Sequence, residues 1–133
     1  MVDSSLSRIL IVEDELDIQL VVRFSLERLG RFQLAVAASG EEAVALAAEF
    51  QPQLILLDVM MPGLDGFATL GQLRRLSGLE QTPIVFVTAR SQAHEVAEYE
   101  ALGALDVIVK PFDPIGLADR LVSLWDRHCL AVR

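Results

Sequence analysis

The chain has 133 residues, 53% of them hydrophobic, which suits one domain with enough apolar material for a buried core. Its formal net charge of −8 gives a surface that repels nucleic acid, and its longest stretches without a charged residue, nine positions at 32–40 and 81–89, cannot span a membrane, which takes roughly 20. Cys129 is the single cysteine, which excludes an internal disulfide and a cysteine-based zinc cluster.

The first apolar, β-branched run, at 8–12, predicts a strand. Glu13 and Asp14 cut its apolar part to four residues, too short for a signal peptide, so a cytoplasmic protein without membrane insertion is expected. A helix over about 16–29 follows, with Leu20, Val21 and Phe24 on one face and Gly30 as its stop. A second run at 32–37 leads to a helix opened by Ser39 and Glu42, which have capping-box spacing, and closed before Pro52. The third run, 54–57, precedes a helix over about 66–76. The fourth, 84–87, precedes a helix with Ser91 as N-cap and Gly103 as stop. The fifth, 107–109, precedes a helix with Asp113 at the N-cap and Pro114 at its first position, running to about 128. In that helix Ala118, Leu121, Val122 and Trp125 fit one stripe, with Leu117, Leu124 and His128 beside it. That is more apolar surface than one core face needs, so it is either surplus core or an interface.

Most of the runs are continuously apolar rather than alternating, as parallel strands covered on both faces are. Five β-α units imply an open parallel sheet with helices on both faces, and ligands bind such sheets beyond the carboxyl ends of the strands. Residues 1–7 are expected to form a flexible tail, 8–128 the domain and 129–133 a short C-terminal tail.

The strand ends carry Glu13 and Asp14, then Asp58, Thr88 and Lys110. Each alone has an ordinary reading: a solvated acidic pair, a helix cap, a β-branched strand end, a surface lysine. Together they describe one small volume. Three carboxylates in it repel one another and call for a cation or raised pKa values, and hard oxygen ligands suit Mg²⁺. A carboxylate can attack phosphorus as a nucleophile. A cation between Asp14, Asp58 and a phosphoryl oxygen screens the repulsion, Lys110 pairs with a second oxygen, and the Thr88 hydroxyl bonds a third.

The segments ILIVEDE, LILLDVMMPGLDG, IVFVTA and VIVKPFDP resemble the CheY-like receiver domain of two-component response regulators over about residues 8–128. The resemblance implies a flavodoxin-like (βα)5 α/β fold, a three-layer sandwich with strand order 2-1-3-4-5. It implies that Asp58 is phosphorylated by the phosphohistidine of a sensor histidine kinase or phosphotransfer protein. Mg²⁺ would be held by Glu13, Asp14, Asp58 and the backbone carbonyl of Met60, with Glu13 acting through water. Thr88 and Lys110 would read the phosphoryl group, and the Lys110–Pro111 bond would be cis. Helix 4, strand 5 and helix 5 would be the face for dimers and for an output partner. The protein is thus expected to be a signalling phosphoacceptor, not an enzyme, and a stand-alone regulator or phosphorelay shuttle.

Three positions depart from the family pattern or tune it. Val107 stands where the family usually has Tyr or Phe, so the output face is expected to respond differently, unless valine simply packs there. Met60 and Arg90, two residues beyond Asp58 and Thr88, suggest slow self-hydrolysis. His94 and His128 have no third partner at helical spacing and are not expected to be phosphodonors or ligands. Other readings remain: a receiver cut from a longer DNA-binding regulator or hybrid kinase, a degenerate receiver that works without phosphorylation, and an aspartate-nucleophile phosphatase. Against the last, Met60 occupies the position of the second acid that such phosphatases use to release the alcohol.

Overall fold

Five apolar runs become five parallel strands, in the order β2-β1-β3-β4-β5. They are β1 (Arg8–Val12), β2 (Gln33–Ala37), β3 (Leu54–Asp58), β4 (Ile84–Thr88) and β5 (Asp106–Val109). The helices between and after them are α1 (Leu16–Arg23), which continues as a π-helical segment Phe24–Leu29, then α2 (Gly40–Phe50), α3 (Gly66–Leu73), α4 (Ala93–Ala101) and α5 (Leu117–Ala131). This computed structural model describes residues 5–59, 66–89 and 93–131, with 93–96 described by backbone alone. The fold is the flavodoxin-like α/β sandwich expected from the sequence.

Strand alternation divides the core into two layers. Leu10, Val12, Ile55, Leu57, Ile84, Phe86 and Val107 face α2, α3 and α4. Ile9, Ile11, Leu54, Leu56, Val85, Val87 and Ile108 face α1 and α5. Every residue of β3 and β4 is buried, which is why those two runs show no polar alternation.

Local signals set the helix starts unevenly. Ser39 Oγ accepts the Glu42 N–H at 3.1 Å and caps α2 as its spacing predicted. Asp113 instead caps a turn: its Oδ1 accepts the Ile115 N–H at 3.0 Å, so Pro114 precedes α5 rather than opening it. The same helix runs to Ala131, past the expected end. α3 ends at Leu73, earlier than expected, where tighter i→i−3 turns take over. The N-cap expected at Ser91 lies outside the described residues. At the chain start, Gln53 Oε1 accepts the N–H groups of Ser7 and Arg8 at 2.7 and 2.9 Å, which ties part of the expected tail to β3.

Burial decides which faces of the first and last helices pack on the sheet. In the first helix Val22 and Leu26 are buried, whereas Leu20, Val21 and Phe24 are 57%, 41% and 54% exposed. Apolar residues ring this helix, so the pattern alone does not choose a face. The π-helical turn, closed by Gly30 N–H to Ser25 O at 3.1 Å, widens the last turn and brings Ser25 and Leu26 onto the sheet. In α5 the buried stripe is Leu117, Ala118, Leu121 and Leu124; Val122 is exposed and Trp125 half-buried. No helix among the described residues is long and apolar enough to cross a membrane.

The first helix offers a matched test of its buried face. Leu26→Ala is expected to cost about 2–5 kcal/mol by urea unfolding, and Leu20→Ala about 0.5 kcal/mol or less. Equal losses would place the face wrongly.

Candidate functional site

Strand register brings the strand-end residues together. Val12 is level with Leu57, so Glu13 and Asp14 leave β1 beside Asp58, the last residue of β3. Thr88 ends β4 level with Val109, and its carbonyl accepts the Lys110 N–H at 2.8 Å. Ligand oxygens of Glu13, Asp14 and Asp58 all lie within 4.8 Å of one another. Glu13, Asp58 and Thr88 are buried, and Asp14 sits nearer solvent. The Lys110–Pro111 bond is cis.

Lys110 links two of the carboxylates. Its Nζ lies 2.9 Å from Glu13 Oε1 and 3.1 Å from Asp58 Oδ2. The other Glu13 oxygen accepts the Glu15 N–H at 3.1 Å, and Gln19 Nε2 donates to the Glu13 carbonyl at 2.6 Å. Glu13 is therefore held by direct contacts on both carboxylate oxygens. Neither the Glu13–Lys110 pair nor Gln19 was legible beforehand, because both depend on the depth of the strand ends. Only the placement of Gln19 on the first turn of α1, six residues after Glu13, hinted at the second contact.

Burial dominates the electrostatics. It pushes the Glu13 carboxyl up to about 7, and the nearby Asp58 charge adds to this, against the opposing pull of Lys110 and the Glu15 amide. Burial alone would lower the Lys110 ammonium. Its hydrogen bonds to Glu13 and Asp58 outweigh that and hold it above the usual lysine value. One ammonium thus faces three carboxylic groups, and the acid is not fully compensated.

The donor set fits a hard divalent cation. Asp14 Oδ1 is buried and has no hydrogen-bond partner among the described residues. A buried carboxylate oxygen left this way is costly unless something else binds it. Asp14 and Asp58, with Glu13 behind them, offer oxygen ligands and leave room for water, as Mg²⁺ prefers. Met60, the expected backbone ligand, and Arg90 lie outside the described residues, as does the His94 side chain. His128 lies on α5 beside Trp125, with ring centroids 5.9 Å apart, and is not among the clustered ligands.

Beside the site runs an apolar groove of about 550 Å³, lined by Ile18 and Val21 of α1 and by Ala89, Lys110, Pro111, Phe112 and Pro114. The Ser25 hydroxyl, buried in the π-helical turn, donates to the Pro114 carbonyl and ties the loop after Lys110 to the first helix.

The chain is similar to known proteins in sequence and fold. The family model described as the response regulator receiver domain matches residues 9–122. The transcriptional regulatory protein ResD of Bacillus subtilis is 40% identical over 122 residues, covering 91% of this chain and 49% of that protein. A probable transcriptional regulator, ycf27, of Cyanophora paradoxa is 38% identical over 120 residues, covering 90% of this chain and 48% of that protein. The chain therefore spans about half the length of the curated relatives it matches. Among solved structures, the chemotaxis protein CheY4 of Vibrio cholerae aligns with a TM-score of 0.82 and 32% identity, over 90% of this chain and 99% of that one.

The raised Glu13 carboxyl sets a pH dependence. Its folded value of about 7 lies above the ordinary 4.5, so the folded state holds the proton more tightly than the unfolded chain. The stability it contributes is complete below 4.5 and is lost as pH rises through 7 in metal-free protein. A cation competes with that proton, so Mg²⁺ affinity is expected to climb with pH up to about 7 and then level off. Calorimetric Mg²⁺ titrations on either side of that pH check this, and Glu13→Gln is expected to flatten the rise. A rise unchanged in the variant would assign the proton elsewhere.

Proposed function

Because this chain belongs to the response regulator receiver domain family, we propose that Asp58 accepts a phosphoryl group from the phosphohistidine of a sensor histidine kinase or phosphotransfer protein. The observation that carries this reading is the Asp58 carboxylate, buried, with the Lys110 ammonium 3.1 Å away and, in the same cluster, an Asp14 oxygen that has no hydrogen-bond partner among the described residues.

In the transfer, an Asp58 carboxylate oxygen forms the new bond to phosphorus. The phosphorus–nitrogen bond to the donor imidazole breaks, and the imidazole nitrogen keeps the electron pair and takes up a proton. Lys110 is already at hydrogen-bond distance from Asp58, so its charge is in place for an incoming phosphoryl oxygen without a large reorganisation. The Thr88 hydroxyl, on the strand beside Asp58, would bond another oxygen. Burial of Asp58 keeps competing water away from the acyl phosphate. When bound by Asp14, Asp58 and Glu13, Mg²⁺ would neutralise charge shared by nucleophile and phosphoryl group. Leu16, Leu20 and Phe24 are exposed on the first helix, which also lends Ile18 and Val21 to the apolar groove beside Lys110, and so much apolar surface favours a protein as the donor.

The transfer ends at the acyl phosphate. Turnover as a phosphatase would need an acid to protonate a leaving alcohol, and the position two residues after Asp58 is Met60. Steady release of product from phosphate esters is therefore not expected. The relatives' length and names favour one output in particular, a transcriptional regulator of which this receiver is one part.

Intact-mass spectrometry after incubation with acetyl phosphate tests the acceptor. Wild type is expected to gain one phosphoryl mass only with Mg²⁺, and Asp58→Asn none. Lys110→Ala is expected to slow the gain by about 10-fold or more. A gain retained in Asp58→Asn would place the acceptor elsewhere, and no gain in any condition would favour a receiver that works unphosphorylated. Sedimentation of phosphorylated and unmodified protein addresses output: self-association on phosphorylation is expected if α4, β5 and α5 form a dimer face.

A further inference from the structure

Among the described side chains of α4, Tyr99 alone is buried; Ala97, Glu98, Glu100 and Ala101 are exposed. Its ring meets Phe86 edge-on at 5.5 Å and stacks on Phe67 at 5.6 Å, while Phe67 and Phe86 are 5.8 Å apart. Three rings are thus in mutual contact, one each from α4, β4 and α3.

Both partners of Tyr99 are anchored to the acceptor site. Phe86 lies two residues before Thr88, and strand alternation places the two side chains on the same face of β4. Phe67 is the second residue of α3, and the start of that helix is pressed against the end of β3. A Cβ added at Gly66 would come within 2.6 Å of Val59 Cα and 3.1 Å of the Asp58 carbonyl. In the same layer, β5 contributes only Val107, level with Phe86. The aromatic bulk that fastens this side of the domain comes from α4 rather than from β5.

We propose that Tyr99 is the positioning residue through which the state of Asp58 sets the position of α4. The inference rests on Asp58 being the phosphoryl acceptor. A phosphoryl group that draws on the Thr88 hydroxyl shifts the end of β4. Phe86 moves with it, and in a densely packed layer the ring lying against Phe86 and Phe67 must follow. Tyr99 is the one buried ring among the described side chains of α4, so the helix follows it, and the outward-facing Glu98, Glu100 and Leu102 carry the change to the surface.

Tyr99 is the only tyrosine in the chain, so 3-fluorotyrosine gives a single-site probe of this ring. The full chain so labelled is treated with acetyl phosphate and Mg²⁺ and followed by fluorine NMR and intact mass together. A resolved shift that appears with the phosphoryl mass, and decays with it, is expected. Phosphoryl gain with an unmoved resonance overturns the coupling while leaving the acceptor intact; no gain overturns the acceptor reading and this one with it. Amide exchange then separates coupling from mere packing. Tyr99→Leu is expected to gain the phosphoryl group as wild type does but to lose the phosphorylation-dependent change in α4 exchange, and Tyr99→Phe to keep it. A Leu variant that loosens α4 equally in both states, with the difference retained, would show a packing role only. Should Tyr99→Leu fail to fold, the fluorine measurement on wild-type sequence decides alone.

Discussion

One ammonium shared between two buried carboxylates, with a third carboxylate alongside, is the interaction on which the rest of this site depends. Lys110 holds Glu13 and Asp58 at 2.9 and 3.1 Å and cannot neutralise both while also answering Asp14. The buried Asp14 oxygen without a described partner is the visible remainder of that imbalance. Such a cluster is a poor way to stabilise a fold and a good way to hold a cation and a phosphoryl group. Burial raises the Glu13 carboxyl most and the Asp58 charge adds to it, with Lys110 offsetting only part of the two.

The sheet makes this concentration possible. Parallel strands in register end at one edge, so residues far apart in sequence arrive together without any local motif; Asp58 and Lys110 are 52 positions apart. Two fully buried central strands give that edge a rigid floor. The same strands reach outward: Phe86 on β4 and the start of α3 meet Tyr99, and the π-helical turn of the first helix reaches Pro114 through Ser25. A site so connected can report its state on more than one face.

Much of this was legible in the sequence. Continuous apolar runs named the strands, and the polar residues ending four of the five runs are the ones that parallel strands bring to one edge, because in this topology those two facts are geometrically linked. What the sequence could not show was which way the helices turn. Leu20, Val21 and Phe24 share one apolar face, and it is not the face that packs on the sheet, because apolar residues surround that helix and a π-helical turn resets its phase. Val122 and Trp125 were grouped with Leu121, yet Leu117 and Leu124 take their places. Asp113 and Pro114 have the chemistry of a helix start but serve a turn before α5. The pairing of Lys110 with Glu13 was hidden for another reason: it depends on how deeply two strand ends sit, which no spacing encodes. Several functional expectations rest on Met60 and Arg90, and those residues lie outside the described part of the chain.

The central claim is that the site stores carboxylate repulsion which a cation relieves. Thermal unfolding of wild type and Asp14→Asn, each with and without Mg²⁺, tests it most directly. The account predicts that metal-free Asp14→Asn unfolds at a higher temperature than metal-free wild type, because a repelling charge has been removed, and that Mg²⁺ stabilises wild type far more than the variant. A variant less stable than wild type without metal, and stabilised by Mg²⁺ to the same degree, would contradict it.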